Sequence, residues 1–176
     1  MNYCGIEECS MVNGDGLRTV LWVSGCSHNC PGCHNPSTHD PNAGSKFNSE
    51  ALEILLDSLK EDYCSGLTLS GGDPLFPSNR EEVCRIAKTV KEDFPKKDIW
   101  LYTGYEYDDI SSLPVLEYVD VLVTGKFIKD LLDVNYPWAG STNQTVFRKI
   151  NGKFIAEKDV ANYRRLEDNH ERHYCA

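Results

Sequence analysis

Long apolar runs are missing from this chain. Its longest uninterrupted stretches of aliphatic and aromatic residues are about four residues, such as Val20 to Val23, against the roughly 20 that a membrane-spanning helix needs. The opening MNYCGIEECS has neither a basic lead nor an apolar stretch, so no secretory signal is expected there. Positive charge is also short. With 18 Lys and Arg against 27 Asp and Glu the net charge is -9, which repels phosphate backbones and anionic lipid and argues against nucleic acid as the main partner. Internal repeats and low-complexity tracts are absent, and 176 residues fall short of the roughly 250 typical of a closed eight-stranded α/β barrel. What remains, at 40% apolar and 26% charged residues, is the composition of one globular domain. We expect it to span residues 1–156, with a polar, helical or frayed tail over 157–176.

Eight cysteines are present. With no export signal expected, a reducing, cytoplasmic setting follows and the thiols should stay free. Cys4, Cys9, Cys64, Cys84 and Cys175 are scattered and read as small buried or incidental residues. Cys26, Cys30 and Cys33 are different: they lie in SGCSHNCPGCHNPST, with gaps of three and two residues, directly after an expected strand. Three thiolates on one compact loop can grip one metal centre. A zinc ion would need a fourth ligand, for which His28 or His34 is available, whereas an iron-sulfur cluster is held by thiolates and can leave one iron without a protein ligand. From the loop alone both chemistries stay open. Gly25, Pro31 and Gly32 favour a tight loop that turns backbone amides toward the sulfurs.

Hydrophobic periodicity sets the frame around this loop. Leu17 to Ser24 reads as a strand, Leu52, Leu55, Leu56 and Leu59 as a helix capped at Asn48-Ser49-Glu50, and Leu67 to Ser70 as a second strand closed by Gly71-Gly72. Ser78 is placed to cap a helix carrying Val83, Ile86, Ala87 and Val90, followed by a strand over Ile99 to Thr103. A short helix around Leu113 to Tyr118 and a fourth strand over Val119 to Thr124 come next, and Asn151-Gly152 joins Thr145–Ile150 to Lys153–Ala156 as a hairpin. This alternation predicts an α/β fold with parallel strands, crossover helices and active groups at the carboxyl ends of the strands. Four or five such units make an open partial (β/α) barrel.

The C-x3-C-x2-C loop after the first strand resembles that of the radical S-adenosylmethionine enzymes. In that family the three cysteines hold a four-iron four-sulfur cluster whose remaining iron is chelated by S-adenosylmethionine. A second stretch, Ser70-Gly71-Gly72-Asp73-Pro74, is similar to the family's Gly-Gly-acid-Pro motif, with Asp73 one methylene shorter than the usual Glu. Read from its residues alone it is either an ordinary turn or a place where backbone approaches a ligand and a carboxylate meets an ammonium.

From about Asn13 to Arg148 the resemblance narrows to the activating enzymes of anaerobic ribonucleoside-triphosphate reductase. It is carried by Asn13 to Arg18, Cys30 to Pro36, Ser70 to Leu75, Tyr102 to Tyr105, Asp120 to Phe127 and Trp138 to Gln144. The resemblance implies cluster ligation by Cys26, Cys30 and Cys33, and a methionine ammonium held at Asp73 with Gly71 and Gly72. It also sets Gly32, His34, Thr103 and Lys126 near S-adenosylmethionine. The implied reaction is reductive cleavage of that cofactor, with electrons from a flavodoxin-like donor, to make a glycyl radical on the reductase. Two alternatives accompany it: an activase of another glycyl-radical enzyme such as pyruvate formate-lyase, and a non-catalytic zinc-binding interaction module. Plainer roles are expected elsewhere. Arg18 can pair with a structural acid, and His39 reads as a loop residue. Trp138 and Gly140 to Gln144 read as a turn into the hairpin, and His170, His173 and Cys175 belong to the tail.

Overall fold

A computed structural model describes residues 1–161. Its backbone is one eight-stranded mixed sheet in the order β3-β1-β2-β4-β5-β6-β7-β8. The centre is parallel: β2 (Leu17–Val23), β4 (Cys64–Gly71), β5 (Asp98–Tyr102) and β6 (Val121–Thr124). Both flanks are antiparallel, with β1 (Asn2–Ser10) and β3 (Ser45–Lys46) beside β2, and β7 (Thr145–Ile150) and β8 (Lys153–Ala156) beyond β6. The expected α/β alternation is thus present within a larger mixed sheet.

The two long crossovers form where the apolar spacing demands. In α1 (Ser49–Leu59) the Asn48 side chain accepts from the Ala51 amide at 2.9 Å, and Ala51, Leu55 and Leu59 are buried. In α2 (Arg80–Asp93) the buried stripe is Val83, Ile86, Ala87 and Val90. The cap of α2 corrects the sequence reading: Asn79, not Ser78, precedes the helix, and its side chain makes no cap bond. Its Nδ2 donates instead to Ser24 O (2.8 Å) and Asp73 O (3.1 Å). The crossover from β5 to β6 is only a four-residue α3 (Tyr107–Ile110) and a 3-10 turn at Pro114–Glu117, where Leu113 to Tyr118 predicted a helix. Pro114 suits the start of that turn, and two buried residues, Val115 and Leu116, anchor it.

Alternation puts the central strands' side chains into two layers. Leu21, Leu67, Leu69, Ile99, Leu101 and Leu122 meet the helices in the main core. On the other face Trp100, Val121, Val123 and Val146 form a second cluster, with Tyr102 and Trp138 against it. Arg18 crosses this second layer fully buried. Its Nη1 lies 2.6 Å from Asp98 Oδ1, its Nε donates to Thr68 at 2.8 Å, and its guanidinium sits 5.3 Å over the Trp100 ring. The pairing of Arg18 with a structural acid is therefore present. Asn151 (φ 49) and Gly152 (φ 77) take the positive-φ pair of the β7–β8 turn, as Asn-Gly requires. No helix among the described residues is long and apolar enough to cross a membrane. The tail histidines His170 and His173, with Cys175, lie outside the described residues.

Candidate functional site

Because β2, β4, β5 and β6 run parallel, their carboxyl ends lie side by side, and each opens into a loop. Together these loops enclose an open cavity of about 210 Å³. Cys26, Cys30, Cys33 and His34 line it from the first loop, Gly71, Gly72 and Asp73 from the second, and Thr103 from the third. Gly32 lies on the same cysteine loop with the Lys129 stem against it: a Cβ there would sit 3.1 Å from Lys129 Cδ. Lys126 does not join them. Gly125, at φ 98, turns the chain so that Phe127 faces the cavity, while exposed Lys126 borders a neighbouring depression with Glu106 and Asp109.

The cysteine loop is turned by Asn29 (φ 49) and Gly32 (φ 76), both in the left-handed region. It is pinned at its base, where Gly25 N donates to Thr38 O (2.8 Å) and Cys26 N to His39 O (3.0 Å). All three thiols are free and half-buried. Burial pushes the Cys26 thiol above its ordinary pKa and the Asp73 charge adds to this, while backbone N–H groups of His28 and Asn29 offset part of it. The Asn35 amide lies 3.4 Å from Cys33 Sγ. Amides aimed at sulfur are the donors a bound thiolate uses, so the residues present fit a cluster held by three cysteines. They fit a zinc site poorly. The ligand atoms of Cys26, His28 and Asp73 lie within 4.8 Å of one another, but His28 Nε2 is hydrogen-bonded to Asp73 Oδ2 at 2.8 Å, a bond that a shared metal would have to break.

Asp73 is 1% exposed, and its carboxylate accepts from four protein donors. Oδ1 accepts from Leu75 N (2.8 Å) and Thr103 Oγ1 (2.9 Å). Oδ2 accepts from His28 Nε2 (2.8 Å) and Gly104 N (2.9 Å), with the Thr103 hydroxyl also within 3.0 Å. The two glycines before it are likewise committed to protein. A Cβ on Gly71 would meet Val23 N and O at 2.6 Å, and one on Gly72 would meet Gly25 O at 2.6 Å and Thr38 O at 2.8 Å. Their smallness lets the second loop press against the base of the cysteine loop, with Gly72 N donating to Val23 O and Asp73 N to Gly25 O.

Several cavity residues escaped the sequence reading. His28 was weighed only as a zinc ligand, yet its ring stands edge-on to Tyr105, 4.7 Å between centroids, and reaches Asp73. Gly104 makes room for it: a Cβ there would be 2.4 Å from His28 Cδ2. Tyr102 also lines the cavity, and burial raises its phenol well above the usual range. Gln144 stitches the far wall, its Oε1 accepting from Gly140 N (2.9 Å) and Ser141 N (3.1 Å) and its Nε2 donating to Gly125 O (2.9 Å). The expected turn at Gly140 to Gln144 is present and borders the cavity. Tyr102 to Tyr105 and Trp138 to Gln144 are the stretches that carry the sequence signal for Tyr102, Gly104 and Gln144, and the cysteine loop carries that for His28.

A family described as "4Fe-4S single cluster domain" matches residues 12–147. Three similar proteins carry one name, anaerobic ribonucleoside-triphosphate reductase-activating protein. That of Enterobacteria phage T4 is 47% identical over 152 residues, covering 86% of this chain and 97% of its own. That of Vibrio cholerae is 44% identical over 153 residues, covering 84% and 98%. That of Escherichia coli K12 is 40% identical over 150 residues, covering 83% and 97%. With three cysteines gathered at one cavity inside the matched span, the chain belongs to the 4Fe-4S single cluster domain family, among the anaerobic ribonucleoside-triphosphate reductase-activating proteins.

Proposed function

We propose that this chain is a radical S-adenosylmethionine oxidoreductase that places a glycyl radical on anaerobic ribonucleoside-triphosphate reductase. Cys26, Cys30 and Cys33 hold one four-iron four-sulfur cluster, and S-adenosylmethionine occupies the cavity beside Gly71, Gly72, His34 and Thr103. When bound, the cluster held by the three cysteines and the cofactor beside it would supply the hard chemistry, namely one-electron reductive cleavage of S-adenosylmethionine with electrons from a flavodoxin-like donor and hydrogen-atom removal from one reductase glycine. The sheet is read accordingly as an open partial barrel, and the free thiols suit a cytoplasmic setting.

The observation that carries this reading is the meeting of three free thiols with the Gly71-Gly72-Asp73 turn at the carboxyl ends of adjacent parallel strands. The chain's own residues bind, orient and exclude water. Tyr102 and Phe127 give the cavity apolar surface, and the paired glycines hold its second loop close to the first. At about 210 Å³ the cavity is smaller than the roughly 300–1,000 Å³ that encloses a drug-sized ligand. A molecule bound there stays exposed at the mouth, which suits a substrate delivered on another protein.

The test is product analysis. Chain reconstituted anaerobically with iron and sulfide is mixed with S-adenosylmethionine and a low-potential reductant, with and without the reductase. 5'-Deoxyadenosine should form slowly alone and much faster with reductase, because the mouth is closed and a hydrogen donor present only in the complex. No 5'-deoxyadenosine in either mixture overturns the reading. Acceleration by pyruvate formate-lyase instead of the reductase reassigns the partner.

A further inference from the structure

We infer that Asp73 is a positioning residue whose carboxylate, through its protein donors, ties the cysteine loop, its own turn and the end of β5 together around the cofactor's cavity. This rests on the proposed function for the identity of the cofactor, but the geometry that carries it belongs to the chain alone. An ionised carboxylate offers about four lone-pair sites. Here four donors fill them: the amides of Leu75 and Gly104, the Thr103 hydroxyl and His28 Nε2, all within 3.0 Å. With the residue 1% exposed, losing any one of these bonds leaves a buried polar group unpaired.

The four donors come from three parts of the wall. Leu75 closes the turn after β4, and Thr103 with Gly104 begins the loop after β5. His28 stands between Cys26 and Cys30, so its bond is a direct tie from the acid to the cysteine loop. Gly104 shows that this tie is built in, since any side chain at 104 would strike the His28 ring. An Asp, one methylene shorter than Glu, keeps the carboxylate within reach of its own Leu75 amide. The cofactor is thereby served indirectly, through the placement of the loops around it.

The experiment is a double-variant cycle on the full chain, loaded with iron and sulfide, with melting followed before any S-adenosylmethionine is added. Asp73→Asn turns an NH2 toward amides that cannot reverse, and Thr103→Val removes one donor. Each should lower the melting temperature, by roughly 5 °C or more for Asp73→Asn. The double variant should melt close to Asp73→Asn alone, because both remove one shared interaction. Thr103→Ser should restore wild-type melting, and His28→Gln, which keeps a donor at the same reach, should retain what His28→Phe loses.

Wild-type melting of Asp73→Asn overturns the proposal. If melting falls, the cycle decides: coupling between positions 73 and 103 supports the proposal, and additive losses overturn it. Should Asp73→Asn not fold, Thr103→Val and His28→Phe carry the test, and unchanged melting in both overturns it. Failure of the wild-type chain to bind S-adenosylmethionine would count against the proposed function, while the melting cycle would still report on the carboxylate.

Discussion

Two loops wall the cavity, and they are built in opposite ways. The turn from Gly71 to Asn79 is closed by its own bonds: Gly72 N to Val23 O at 2.7 Å, Phe76 N to Asp73 O at 3.0 Å, Asn79 N to Phe76 O at 2.8 Å, and the Asn79 side chain to Ser24 O at 2.8 Å. Asp73, Pro74, Leu75 and Asn79 are buried. The loop from Cys26 to Asn35 has no buried residue, and one main-chain bond within it, Cys33 N to Cys30 O. Between its pinned base and its far end, the His28–Asp73 bond is what fastens it to the wall. Burial and saturated polar groups give the Gly71–Asn79 turn its shape from its own residues, whereas on the proposed function the cysteine loop takes much of its order from what its thiols hold.

The strongest way to break this comparison is at the thiols. Cys30→Ala should lose nearly all bound iron and all activity while the Gly71–Asn79 turn keeps its fold, as read by iron and sulfide analysis beside circular dichroism. Next in size is Gly72→Ala. Its Cβ would fall 2.6 Å from Gly25 O, a clash with backbone that cannot swing aside, and overpacking of this kind costs about 1–3 kcal/mol. Urea unfolding should report a lower midpoint with an unchanged slope. Gly104→Ala acts more locally. The added methyl lands on His28 and should displace it from Asp73, for a loss of about 1–2 kcal/mol and, more visibly, a faster release of iron to a chelator. The smallest effect is expected from Cys84→Ala, a thiol on the far helix α2: full iron content and a stability change within about 1 kcal/mol.

The two loops also differ in how far the sequence alone revealed them. Cys26, Cys30 and Cys33 announce themselves by spacing, because ligands on one loop must be close in sequence. The acid's partners are Leu75 two residues away, Thr103 and Gly104 some thirty away, and His28 forty-five before it. No local periodicity records such contacts; only the parallel pairing of β2, β4 and β5 creates them. The central strands and α1 were legible because their apolar residues repeat at the period of the element. Strand β1 was not: NYCGIEECS carries acids and a glycine, buries only Ser10, and is a strand because the edge of β2 offers it a ladder. Ser78 misled for a related reason. A cap is set by local geometry, and here Asn79 holds that position while its side chain ties down Ser24 and Asp73.

Paramagnetic resonance on the reductase tests the account most directly. Wild-type chain, S-adenosylmethionine and a low-potential reductant should produce a glycyl radical doublet on the reductase, and the signal should vanish when Cys30→Ala chain is used or when the radical glycine of the reductase is changed to Ala. A doublet of undiminished intensity with Cys30→Ala, or no doublet with a fully reconstituted wild-type chain that binds the reductase, would contradict it.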